Sequence, residues 1–409
     1  MSFRISVTGM NAASSDLEVT SHNIANVNTV GFKSSRAEFA DMFAVSGYGI
    51  SQNAIGAGAR LSAVAQQFSQ GNIDFTGRSL DIAIAGQGFF TMASGGSIVY
   101  SRAGNFQADQ NGYVINPSNQ RLQVFPPNAA GGFDIGRLTD LQLPNGDSPP
   151  SATTSAKVQT TLPAGATAPL VSPFDPNNSG SYNFMTSAEI YDSLGGVHTQ
   201  TMYYVKTANP NEWQMNTYID GTAVNPGGTP TTLQFDGSGT LTTPAPPSTV
   251  TLDPFTPTNG AAAINVNLDV SGSTQYGSKF VVNTLSQNGY ATGRIIGVEI
   301  SDEGVVSARY TNGTVNPLGQ IAMTNFPNTQ GLQPIGNNAW AETYKSGQPL
   351  RGQAGTSDFG MIQGGALEVS NVDLTSQLVN MISAQRNFQA NSQMISTQDQ
   401  IMQTVINMR

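Results

Sequence analysis

The carboxyl-terminal stretch DLTSQLVNMISAQRNFQANSQMISTQDQIMQTVINMR, Asp373 to Arg409, decides how the rest of the chain is read. No Gly or Pro interrupts it, and Asp373 stands where an N-cap acceptor belongs, directly before an apolar-periodic run. Alternating steps of four and three pick out Leu374, Leu378, Met381, Gln385, Phe388, Ser392, Ile395, Asp399, Met402 and Ile406, the spacing of a coiled-coil seam. One layer of that seam is apolar throughout. The other is polar in its middle. The stretch predicts a single long helix.

The amino-terminal end carries a matching half, in which Phe3, Val7, Met10, Ser14, Leu17, Ser21 and Ile24 follow the same step and one layer again turns polar in its middle. Two such helices at opposite ends predict that the termini pair and that everything between is an insertion held on a helical stem. The same stripes also suit two ordinary amphipathic helices, each packed on its own domain. The polar layer, Gln385, Ser392 and Asp399 against Ser14 and Ser21, either fixes register or faces a solvent channel. Apolar burial along two such seams falls short of the conformational entropy of ordering them, so the ends are expected to fray in the monomer and to order on assembly.

Composition narrows the class. With 409 residues the chain can hold two or three domains with real cores. Charged residues make up 11%, well below the ~25% of ordinary globular chains, so the surface is mostly neutral and polar. The net charge of -9, with no basic cluster, argues against nucleic acid or an anionic membrane as partner. Zero Cys excludes a disulfide framework, a thiolate zinc site and a cysteine nucleophile. No run approaches the ~20 apolar residues of a membrane span, and the first residues lack the apolar core of a cleavable signal peptide. Export, if it occurs, is expected to use another signal.

Along the chain, Asn23-Ile24-Ala25-Asn26-Val27-Asn28-Thr29-Val30-Gly31-Phe32-Lys33 closes the first helix with three Asn and a Gly. Residues 34–70 scatter Phe39, Met42, Phe43 and Ile55 among Ser, Gly, Ala and Gln, and are read as a connector with short strands or none. Leu80 to Ala85 alternates like a half-buried strand, and Asp109-Gln110-Asn111-Gly112 marks a hairpin turn. Composition shifts at Pro144 to Pro150 into a Thr-, Pro-, Asn- and Gly-rich stretch that still alternates, as in Trp213, Met215, Thr217 and Ile219 and in Ile264, Val266, Leu268 and Val270. The expected organisation is mainly β with paired terminal helices and nested, discontinuous all-β domains. Residues 1–30 and 371–409 form the stem, 31–70 and 361–370 the connectors, 71–144 and 276–360 a discontinuous β domain, and 145–275 an inserted all-β barrel or sandwich.

The run Asn23 to Lys33, with its Asn23, Ala25, Asn26, Thr29, Gly31, Phe32 and Lys33, resembles the amino-terminal signature of bacterial flagellar rod and hook proteins. Leu80 to Phe90, Tyr100-Ser101-Arg102-Ala103-Gly104-Asn105-Phe106, Ser370-Asn371-Val372-Asp373 and Gln385-Arg386-Asn387-Phe388-Gln389-Ala390 resemble the same family, with Ser101 and Phe388 standing where Thr and Tyr are more common. Tyr191-Asp192-Ser193-Leu194-Gly195 with His198 is similar to a hook motif. Distal rod proteins are shorter, so the large insertion favours the hook branch. The resemblance implies a self-assembling tubular joint that passes torque from rod to filament. It further implies type III export to the cell exterior, and contacts with the distal rod, the hook cap and the hook–filament junction proteins.

No constellation suggests catalysis. The two histidines, His22 and His198, lie far apart and show neither a metal-ligand spacing nor a nucleophile turn, so no catalytic, metal or cofactor site is expected. Gly86-Gln87-Gly88 runs into Phe89 and Phe90 rather than a helix, which marks a turn and not a dinucleotide site. A secreted glycan-binding or adhesive β protein is the rival class. It would need no terminal seams.

Overall fold

A computed structural model describes residues 2–43, 56–356 and 358–407; Ile55, Arg409 and the other remaining residues lie outside that description. Two long helices bracket a chain that is otherwise strands and turns: α1 (Ser2–Ala25) and α2 (Leu374–Asn407). They pack on one another. Asp373 caps α2 as its position implied, its Oδ1 accepting from the Ser376 amide at 2.8 Å.

The described chain forms two compact units, one of residues 1–145, 297–309 and 315–409, the other of residues 146–296 and 310–314. In the first, the connector expected between Ser34 and Gln70 is instead a long antiparallel strand pair, β1 (Ser35–Met42) and β2 (Gly58–Gln66), with Ser35 opposite Gln66, Met42 opposite Gly58 and a shift of register between Glu38 and Phe39. Its alternation was hard to read because neither face is sealed: Phe39, Leu61 and Val64 stay exposed. Beyond it, Ile73–Phe75 pairs with Ala366–Glu368, and Ile82–Ala85 with Met361–Gly364. The outgoing and returning chain thus run side by side, which brings the two ends of a 409-residue chain to one place.

A large antiparallel sheet continues this unit through Phe89–Ser94, Ser97–Ser101, Arg121–Phe125 and Val315–Ile321, over a core that includes Ile82, Ile84, Phe90, Met92, Phe106, Leu122, Val306 and Ile362. Ala83 is buried together with Ile82 and Ile84, so Ile82–Ala85 is covered on both faces and not the half-buried strand its alternation suggested. The turn at Asp109 is a hairpin, with Gly112 at φ +84° and Gln107–Ala108 paired to Val114–Ile115.

The second unit packs two sheets around Trp213, Met215, Ile219, Ile264, Val266, Leu268 and Val270, the two alternating runs read from sequence. One sheet is built on Phe184–Tyr191, Val197–Lys206 and Glu212–Ile219, the other on Ser155–Pro163. The strand Val281–Gln287, expected to belong to the discontinuous domain, pairs instead with Ser155–Pro163. The Thr- and Pro-rich composition ends before this pairing does, because composition follows loop content whereas the unit is closed by hydrogen bonds between its first and last strands.

Candidate assembly site

Small residues hold the most deeply buried positions where the terminal helices pair. On α1 the buried positions Ser6, Ala13 and Thr20 fall seven apart, and on α2 the buried residue is Ala384. A Cβ added to Gly9 would stand 2.5 Å from Asn391 Oδ1, so the missing side chain is what admits Asn391 there. Asn23 Nδ2 meets Gln377 Oε1 at 3.2 Å, and the two pairs together show antiparallel helices. The last turns of α2, with Ile401, Met402 and Ile406 exposed, therefore extend past the start of α1.

This geometry corrects half of the expected seam. On α2 the inward stripe is Gln377, Met381, Ala384, Asn391, Ile395 and Gln398. The layer of Met381 and Ile395 is shared with the expectation, but its companion lies one residue earlier than Leu378, Gln385, Ser392 and Asp399, which are exposed, as is Ile406. Gln385, Ser392 and Asp399 consequently do not meet Ser14 and Ser21, of which Ser21 is itself exposed. Val7, Met10, Leu17 and Ile24 are half-buried on α1, whose remaining cover comes from β1 and β2, while Phe3 is exposed. Leu374, Leu378, Val379, Ile382, Phe388, Met394 and Met402 present apolar surface outward. Small residues allow two helices to approach closely, and apart from Met381 and Ile395 on the inward stripe most of the large apolar side chains of α2 are left on the outside of the pair.

Below the helices, three separated motifs meet around one carboxylate. Glu368 is fully buried; its Oε1 accepts from Lys33 Nζ at 2.6 Å and from the Gly71 amide at 2.9 Å, and its Oε2 from Arg102 Nη1 at 3.1 Å. Lys33 Nζ also donates to the Ser69 carbonyl, and Arg102 Nη2 to that of Gly86. Burial pulls both cations below their ordinary pKa range, and Glu368 opposes that pull. Gly31 sits at φ +68° with the Arg102–Ala103 backbone against it, where a Cβ would fall 2.5 Å from the Ala103 nitrogen. Its amide donates to the Glu368 carbonyl at 2.8 Å.

The asparagines of the signature close helix ends and splice segments. Asn23 exchanges two bonds with the backbone of Ser35, and Asn371 takes the Ser34 amide at 2.7 Å while donating to the Gln67 carbonyl at 2.7 Å. Asn26 donates to the His22 carbonyl and accepts from Thr29, Phe32 is buried with its ring edge-on to His22, and Ala25 is exposed. Sequence reasoning missed Glu368, which lies just outside the quoted motif Ser370 to Asp373. The available signal was two buried-motif cations, Lys33 and Arg102, with no acid assigned to them.

Among the described residues no group of three or more His, Cys, Asp or Glu is placed to hold a metal ion, and no helix is long and apolar enough to cross a membrane. In the second unit His198 sits between Asp192 and Asp220, at 3.2 Å and 2.6 Å, an arrangement the sequence did not reveal.

Helices at both ends pair and a β body is strung between them, and sequence matches along this whole arrangement place the chain among the bacterial flagellar rod and hook proteins. Residues 3–33 match the family described as Flagella basal body rod protein, 83–166 the Flagellar hook protein FlgE/F/G D1 domain, 158–290 the Flagellar basal body protein FlaE D2 domain, and 363–408 the Flagellar basal body rod FlgEFG protein C-terminal. Flagellar hook protein FlgE of Escherichia coli K12 is 40% identical over the whole of both chains. That of Rhizobium meliloti is 33% identical over 99% of this chain and 98% of its own, and that of Borreliella burgdorferi 30% over 98% of each. The crystal structure of Helicobacter pylori flagellar hook protein FlgE2 shares the fold, with TM-score 0.54 and 16% identity over 72% of this chain and all of that one. The chain belongs to the flagellar hook protein family.

Proposed function

We propose that this chain polymerises into the hook by covering the outward apolar residues of α2 with the helices of neighbouring copies, and that the tube so formed bends while passing torque from rod to filament. The observation that carries this reading is the row Leu374, Leu378, Val379, Ile382, Met394, Ile401, Met402 and Ile406, exposed on a helix whose other side is already paired. A single chain gains nothing from leaving so much apolar surface in water, whereas a polymer buries it. The second unit then makes exchangeable polar contacts between copies, and in a chain with 11% charged residues such contacts slide with little electrostatic penalty. The role is mechanical and not catalytic. The distal rod protein, the hook cap, the junction proteins and the type III export apparatus are the partners this reading requires, and the outside of the cell is its place of work.

The test is the double variant Leu378→Ser with Ile382→Ser, compared with the unaltered chain by negative-stain electron microscopy at rising concentration. Both positions are about half exposed, so the two substitutions together should cost the monomer about 1 to 3 kcal/mol, and retained folding of the variant is checked by the Trp213 and Trp340 fluorescence transitions. Tubes from the parent and none from the variant support the reading. Tubes of equal length and number from both would overturn it.

A further inference from the structure

We propose that His198 is a proton-operated clip in the second unit: as imidazolium it fastens the turn Asp192–Gly196 over the segments by which the chain enters and leaves that unit, and on losing its proton it lets the turn go. The geometry requires the charged form. Nε2 stands 3.2 Å from Asp192 Oδ2 and Nδ1 stands 2.6 Å from Asp220 Oδ2. A neutral imidazole has one N–H, so only the imidazolium can donate to both carboxylates; the neutral ring would turn a lone pair toward one of them.

Neither carboxylate is free to swing away. Asp192 is fully buried, its Oδ1 accepting the amides of Leu194 and Gly196 and its Oδ2 the Asn259 side chain at 2.6 Å. Asp220 Oδ1 accepts the Thr199 amide at 2.8 Å. The charged groups facing the ring are these two acids, one from its own turn and one from the turn after Glu212–Ile219. The loop of residues 255–264 contributes the Phe255 ring, edge-on at 5.5 Å, and Asn259, neither of them charged.

What the clip holds is the entry and exit of the unit. A Cβ on Gly195 would lie 3.1 Å from Pro150 and 3.4 Å from the Thr292 amide, so the turn rests on both segments. They are joined there by the bridges Ser148 to Gly293 and Ser151 to Tyr290, and Thr153 Oγ1 takes the Tyr191 amide at 2.9 Å. Opening the turn would expose the backbone on which the whole insertion is anchored to its flanking chain.

The direction of the pH effect follows. Burial pulls the His198 imidazole down, but hydrogen bonds and charge from Asp220 and Asp192 outweigh it, and its pKa is raised. The clip's stabilisation is therefore complete below the ordinary histidine value of about 6.5 and disappears as pH rises through the raised value. Protection of the turn should fall by roughly tenfold for each unit by which the folded value exceeds the ordinary one.

The experiment uses the full chain. With two histidines in the sequence, 13C-labelled imidazole resonances titrate one by one, and His22→Gln assigns them. Hydrogen exchange of peptides covering residues 146–154 and 190–200, corrected for intrinsic rates, is followed over the same pH range in the parent, His198→Gln and Asp220→Asn. Expected are a His198 midpoint above 6.5 that drops in Asp220→Asn, and a loss of turn protection that tracks it and is absent from His198→Gln. A midpoint at or below the ordinary value would overturn the proposal. So would an identical pH dependence in His198→Gln; if that variant does not fold, the midpoints of the parent and Asp220→Asn decide.

Discussion

Replacing Glu368 by Gln removes the one negative charge that Lys33 and Arg102 share while keeping the shape of the side chain. In the parent, Glu368 accepts from Lys33 at 2.6 Å, Gly71 at 2.9 Å and Arg102 at 3.1 Å, with no exposure to solvent. Gln offers one carbonyl oxygen and points an NH2 at the other cation, leaving two buried positive groups without a counter-charge. Breaking a buried pair in this way costs about 3 to 5 kcal/mol, which lowers a urea midpoint by about 1 to 2 M. The two tryptophans make the measurement local, because Trp340 lies in the first unit and Trp213 in the core of the second. In a Trp213→Phe background the fluorescence of Trp340, whose Nε1 donates to Gln66 at 2.6 Å, follows the unit that holds the junction. Replacing Lys33, Arg102 and Glu368 together by Met should recover most of the loss, since an apolar set of similar volume is often as stable as the ions it replaces. A Glu368→Gln midpoint within about 0.3 M of the parent, equivalent to under 1 kcal/mol, would refute the claim that this carboxylate ties the ends of the chain to the β body.

Two further outcomes separate the junction from the helices above it. Gly31→Ala places a Cβ 2.5 Å from the Ala103 nitrogen in a backbone that only Gly adopts readily, so a loss of at least about 1 kcal/mol is expected on the same Trp340 signal; an unchanged midpoint would mean the loop re-routes freely. Ala384→Leu overfills the helix contact, where Ala384 is 1% exposed, at a cost of about 1 to 3 kcal/mol, and should separate α1 from α2 without touching the β units. Faster tryptic cleavage at Arg4 and Arg386, with the Trp340 and Trp213 midpoints unmoved, is the expected readout. Cleavage at the parent's rate would show that the pairing tolerates the added side chain.

The architecture was legible wherever a strong local signal coincided with its structural cause. The cap at Asp373, the uninterrupted helix after it and the alternation of Trp213 to Ile219 each depend on nearest neighbours in sequence, and the fold shows all of them. β1 and β2 were not legible because alternation marks a strand only when one face is buried, and here Phe39, Leu61 and Val64 remain outside. The far edge of the second unit was missed for a different reason. Pairing of Val281–Gln287 with Ser155–Pro163 spans more than a hundred residues, and no composition change accompanies it. Glu368 and the His198 cluster likewise depend on partners brought from distant segments: the motif Tyr191 to Gly195 with His198 was marked in the sequence, but nothing there joined it to Asp220.

The helices show how a correct period can be assigned to the wrong partner. Periodicity of Leu, Ile, Met and Phe establishes that α2 has an apolar face, and hydrophobic burial demands that something cover it, but nothing in one chain's sequence says which molecule does so. Sequence logic gave that face to α1. The structure gives α1 the neighbouring stripe through Ala384 and Asn391, where Gly9, Ala13 and Ser6 allow close approach. That division has a physical advantage for an assembling subunit. Contacts through small and polar residues, with Met381 and Ile395 among them, fix how the two helices of one copy lie together while leaving most of the large apolar side chains of α2 unused. Leu378, Ile382 and Met402 stay exposed, and under the proposed assembly they would serve contacts between copies, so that folding of the pair and growth of the polymer would draw on different residues of the same helix. It follows that the two can be uncoupled by mutation: Leu378→Ser with Ile382→Ser should leave the α1–α2 pair protected from trypsin while abolishing tubes, and Ala384→Leu should do the reverse at the level of the monomer. Finding that each variant damages both properties equally would mean that one face serves both contacts.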